Sequence, residues 1–136
     1  MEQERHFPRQ FAALEAIFAF VSEFYLGNGL VDEDSSVVEL IIEEIFTNMV
    51  KYSVEGKKDI AIRLRRQDDA VEIRLTDFDV LPFDYAKARD ADLQQLLAQK
   101  RSGGLGLHLV RQMADSFTSE YVGGHNQVTI LKRLGA

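Results

Sequence analysis

Residues 58–66 (KDIAIRLRR) and 70–77 (AVEIRLTD) alternate apolar and polar side chains with a period of two, and only Gln67, Asp68 and Asp69 separate them. The period predicts two strands, one placing Ile60, Ile62 and Leu64 on a common face, the other Val71, Ile73 and Leu75. Their short polar connection predicts an antiparallel hairpin. A sheet with one apolar face has to be covered, and the chain supplies helical periodicity to cover it. Residues 9–26 (RQFAALEAIFAFVSEFYL) repeat apolar side chains at helical spacing and stop at Gly27-Asn28-Gly29, predicting a first helix. A second is predicted up to Tyr52, beginning at the capping box Ser36-Val37-Val38-Glu39 with the acids of VDEDSS near the positive end of its dipole. A short strand is expected at Glu4–Phe7, a short helix at Asp92–Gln99 and another helix after a glycine-rich stretch. A second hairpin is expected from strands near 117–122 and 127–133 about Gly123-Gly124-His125-Asn126. This order predicts an α+β fold in a single domain over residues 1–136. The expected form is a two-layer sandwich, a mainly antiparallel mixed sheet with helices on one face.

Composition removes several function classes. With 16 basic and 22 acidic side chains the net charge is −6, and no Lys/Arg stripe is present to track a phosphate backbone, so no direct nucleic-acid binding is expected. There is no cysteine, which excludes disulfides and thiolate metal sites and suits a reducing compartment. No apolar run reaches the roughly 20 residues of a membrane helix, and MEQERHFPRQ lacks a signal-peptide core. No membrane association and a cytoplasmic location are expected. His6, His108 and His125 share no metal-ligand spacing.

The pattern is most informative where it breaks. On a wheel of about 100° per residue starting at Val37, the apolar arc of the second helix covers roughly 0–180°. Asn48 falls inside it at about 20°, with Glu44 at about 340° and Lys51 at about 320° along one edge, away from Glu39 and Glu43. Glu44 and Asn48 are one turn apart, so both reach one ligand. An Asn in that arc needs partners for its amide, from backbone or from a ligand. In LTDFD the same period that turns Leu75 inward turns Asp77 inward, where a carboxylate requires a partner, unless the strand ends at Thr76 and Asp77 opens a turn. Gly103-Gly104-Leu105-Gly106 begins a helix with backbone N–H groups suited to anions, or is only a flexible start.

Taken in order, these stretches resemble the GHKL ATPases, and within them the small stand-alone serine kinases that act as anti-sigma factors. ELIIEEIFTNMVKYS (39–53) is similar to that family's N box, LTDFDVLPFD (75–84) to its first glycine box and RSGGLGLHLVRQMADSF (101–117) to its second. The resemblance covers nearly the whole chain and implies Mg²⁺ and ATP as cofactors. It implies Asn48 as a Mg²⁺ ligand, Glu44 as the base or orienter of the attacking hydroxyl, and Lys51 and Tyr52 near the phosphates and nucleotide. It implies Asp77 as acceptor for the adenine amino group, Gly103, Gly104, Leu105, Gly106 and Leu107 as the phosphate loop, and residues 84–102 as an ATP lid. The implied partners are a sigma factor and a small antagonist, or anti-anti-sigma, protein, and a homodimer is compatible with the family. The family glycine two positions after the adenine-binding Asp is replaced by Asp79, in a segment one residue longer than usual. Glu44 and Asn48 favour a Mg·ATP-dependent serine kinase that also sequesters its sigma factor, whereas Asp79 favours a non-catalytic partner-switching module with weakened nucleotide binding. The ATPase half of a sensor histidine kinase fits less well, since the chain holds no dimerising hairpin with a phosphoacceptor His.

Overall fold

The computed structural model describes residues 2–30, 32–86 and 110–134, with residues 32–34 described by backbone alone. Five strands form one sheet: β1 (Glu2–Phe7), β2 (Ile60–Gln67), β3 (Ala70–Asp77), β4 (Ser116–Val122) and β5 (His125–Arg133). Their order across the sheet is β1-β2-β3-β5-β4, and every pairing is antiparallel. Two helices, α1 (Leu14–Gly27), entered through a 3₁₀ turn at Phe11–Ala13, and α2 (Asp32–Tyr52), lie between β1 and β2 in sequence.

Strand register confirms the alternation. Ile62 faces Leu75 and Leu75 faces Val128, while Leu64, Ile73 and Ile130 form the next row, and all six are buried under the helices. From α1 come Ile17, Phe20, Val21, Phe24 and Tyr25, and from α2 Val38, Ile41, Ile42, Ile45, Phe46 and Met49, each fully buried. Emptying such a site, for instance Ile73→Ala, costs about 2–5 kcal/mol through lost burial and the cavity left behind. The opposite sheet face is polar: Glu72 is held by Arg63 and Arg65 at 2.7 and 2.9 Å, and Arg74 Nε donates to Thr129 Oγ1 at 3.2 Å.

The Gly27-Asn28-Gly29 stop works as a Schellman motif. Gly29 adopts φ 64, Leu30 N–H donates to Tyr25 O at 2.9 Å and Gly29 N–H to Leu26 O at 3.2 Å. The following residues depart from expectation, because α2 is helical from Asp32 and Ser36 lies inside it rather than at its cap. A run of acids at the first turn suits the positive end of the dipole and lets the helix begin a turn earlier. The second hairpin is also tighter than expected: Gly123 and Gly124, with φ 58 and 87, make a two-residue turn, so His125 and Asn126 belong to β5. The expected helix at Asp92–Gln99, most of the lid and the glycine loop lie outside the described residues. Residues 110–113, just after that loop, are helical, with Val110 in the core.

Candidate functional site

The polar edge of α2 lines an open groove of about 430 Å³ whose other wall includes Phe11. Asn48, only 5% exposed, donates through Nδ2 to the Glu44 carbonyl one turn back. Its Oδ1 accepts no hydrogen bond from the described residues. Backbone thus satisfies one end of the amide, as the first of the two readings has it, and leaves the oxygen without a bond from the described residues. Glu44 is half-buried; desolvation, and then the neighbouring Glu43, raise its carboxyl above the ordinary glutamate range, opposed by Lys51. The Lys51 ammonium lies 5.9 Å from the Phe11 ring centre. Glu44, Asn48 and Lys51 therefore meet in one place, as the wheel predicts. Glu43, expected to point elsewhere, also lines the groove.

Asp77 ends β3 facing inward with no exposure, and its partner comes from the chain itself. Arg9 Nη1 donates to Asp77 Oδ1, and Arg9 Nη2 lies 3.4 Å from Oδ2. Burial pushes the Asp77 carboxyl up, while hydrogen bonds from Arg9 and Ser53 and the charge of Arg9 pull it back. Arg9 also donates to Met49 O at 3.1 Å and Ser53 O at 3.0 Å, carbonyls at the C-terminal end of α2, where a cation is favoured. Sequence reasoning missed Arg9. Its signal was a lone Arg after Pro8 within a segment read only as helix.

Tyr52 is half-buried, its hydroxyl raised by desolvation, and it lines a separate pocket of about 120 Å³ with Ser53, Glu55, Phe83 and Tyr85. Burial also raises the Tyr85 hydroxyl, which sits 3.4 Å from Ser53 Oγ. Asn126, a second residue missed because it was assigned to a turn, is fully buried and straps the segment after Asp77. Its Oδ1 accepts from Phe83 N–H at 3.1 Å and its Nδ2 donates to Leu81 O at 2.9 Å.

Asp79 adopts φ 55, a left-handed conformation that glycine takes without strain. Its carboxylate is exposed and paired with Lys58 at 2.6 Å, which lowers it from the ordinary aspartate value, and its N–H donates to His125 Nδ1 at 3.1 Å. The charge is thus neutralised at the surface. His6 and His125 both contact the Phe78 ring, at 5.9 and 4.9 Å between centroids. Among the described residues no group of three or more His, Asp or Glu could hold a metal. Among them, too, no helix is long and apolar enough to cross a membrane.

A family description of a histidine kinase-like ATPase domain matches residues 7–132. Among solved structures, the RsbU and RsbW domains of Rv1364c from Mycobacterium tuberculosis superpose with a TM-score of 0.68 at 15% identity, covering 98% of this chain and 32% of that one. The chain thus spans about a third of the length of that relative. The SiaB–SiaC complex from Pseudomonas aeruginosa superposes with a TM-score of 0.63 at 13% identity, covering 95% of this chain and 88% of the other. At these identities the two structures share the fold. No curated protein sequence matches significantly.

Proposed function

Because this chain belongs to the histidine kinase-like ATPase family, we propose that it binds Mg·ATP along the edge of α2 and transfers the terminal phosphoryl group to a serine hydroxyl of a small antagonist protein, while also sequestering a sigma factor. One observation carries this reading: Glu44 and Asn48 line the same groove one turn apart, with the Asn48 oxygen available and the Glu44 carboxyl shifted toward proton affinity. Asn48 would contribute to holding Mg²⁺, which when bound neutralises phosphate charge. The rest falls to the chain. Glu44 orients the incoming hydroxyl and takes its proton as the oxygen–phosphorus bond forms and ADP departs. Lys51, at the same groove, supplies positive charge toward the phosphates. Fold relatives that include an RsbW domain and one half of a SiaB–SiaC complex support a role built on protein partners.

A second reading, a non-catalytic partner-switching module, is favoured by the in-chain partner of Asp77, since a carboxylate already satisfied is a poor receptor for a base. Calorimetry with Mg·ATP on the parent and on Asn48→Ala separates the two. Binding that Asn48→Ala abolishes supports the first reading. Absence of binding at millimolar nucleotide removes it.

A further inference from the structure

The proposed phosphoryl transfer makes no use of Arg9, a cation enclosed beside the buried Asp77. Its side chain is 11% exposed, against none for Asp77. Two terminal nitrogens carry four N–H groups, and these meet five oxygens: both Asp77 carboxylate oxygens, Met49 O, Ser53 O and, at 3.4 Å, Lys58 O. No terminal donor is left for an incoming ligand. Gly56 completes the cradle, since a Cβ at that position would stand 2.6 Å from Arg9 Cζ. A side chain at residue 56 would require the guanidinium to move. Arg9 itself sits on the short connection between β1 and the 3₁₀ turn, outside any regular element.

We propose that Arg9 is an internal occupant of the base pocket, holding Asp77 until an adenine nucleotide displaces it, so that base binding and Arg9 release are a single exchange. This rests on the nucleotide reading above and adds its regulation. The adenine amino group and the guanidinium are both donors competing for one buried carboxylate, and the charged donor makes the stronger bond. A nucleotide therefore binds only the fraction of molecules in which Arg9 has withdrawn, and its apparent affinity falls by that fraction. Release also removes the Arg9 bonds to the Met49 and Ser53 carbonyls, which keep their backbone bonds from Ser53 and Gly56 N–H at 3.0 and 2.9 Å.

The test is calorimetry of Mg·ATP binding to the parent, Arg9→Gln and Gly56→Ala, each as the full chain. Gly56→Ala keeps both charges and forces the guanidinium to shift within its cradle, so it tests the exchange should Arg9→Gln fail to fold. Both variants are expected to bind Mg·ATP about tenfold or more tightly than the parent, as removal of a closed state requires. In the parent, the Arg9 guanidinium ¹⁵N resonances should shift on nucleotide addition, a measurement that needs no variant to fold. Equal binding by parent and variants, or resonances that saturating nucleotide leaves unchanged, overturns the exchange while the nucleotide reading stands. If neither parent nor variants bind, the nucleotide reading fails and the exchange falls with it.

Discussion

Two polar sites interrupt the apolar interior, the groove around Asn48 and the buried pair of Asp77 with Arg9, and they are satisfied by different routes. Asn48 bonds within its own helix and keeps one oxygen for something else. Asp77 is matched by a cation from a segment 68 positions away in sequence. Both residues carry the same signature in sequence, a polar group at an inward position. What separates them is whether the surroundings hold a second group of opposite character, and that depends on tertiary structure. An unexplained buried polar residue therefore indicates a required partner without saying whether that partner is a ligand or the chain.

The comparison can be broken most forcefully at the groove. Glu44→Gln should retain Mg·ATP binding and lower phosphoryl transfer by about 10²–10⁴-fold, the usual worth of a positioned base; radiolabelled ATP and a small antagonist protein measure it, and parental rates would end the assignment. At the buried Asp77–Arg9 pair the expected loss is in stability. Arg9→Ala leaves a buried carboxylate without its cation and should cost about 3–5 kcal/mol in denaturant unfolding, whereas adding Asp77→Ala should recover part of that cost.

A smaller effect sharpens the electrostatics of the groove. Glu44 must be ionised to accept a proton, so the rate should fall as pH drops through its raised pKa, on an acid limb above the ordinary glutamate range. Removing a raising charge with Glu43→Gln should move that limb toward lower pH, and a pH–rate profile that does not move would contradict the assignment. The smallest effect belongs to Asp79. Glycine accepts φ 55 without strain and the lost Lys58 pair is exposed, so Asp79→Gly should change the melting temperature by no more than a few degrees and leave nucleotide affinity unchanged. A large gain in affinity would return Asp79 to the list of groups that oppose the nucleotide.

The sheet and its cover are legible in sequence because each rests on a local period. The rows Ile62–Leu75–Val128 and Leu64–Ile73–Ile130 follow from alternation, and the buried face of α2 from its wheel. The meeting of Glu44, Asn48 and Lys51 is legible for the same reason, since all three sit on one helix. Arg9 and Asn126 are not. Each acts on backbone atoms of an element distant in sequence, Arg9 on the end of α2 and Asn126 on Leu81 and Phe83, and no periodicity encodes such pairs. The start of α2 was misplaced because a capping box marks a favourable cap without excluding an earlier one.

The strand order leaves β3 and β5 as central neighbours although β4 and a long connection separate them in sequence, and this governs how the fold responds to insertions. Insertions between β3 and β4 leave the register of the sheet centre unchanged, because β3 pairs with β2 and β5 and not with β4. The β2–β3 turn has no such latitude, because its two residues set the register of the sheet centre. Length changes should therefore accumulate between β3 and β4, on the side of the sheet where Asp77 ends its strand, while the hairpin at the other end of β3 stays fixed.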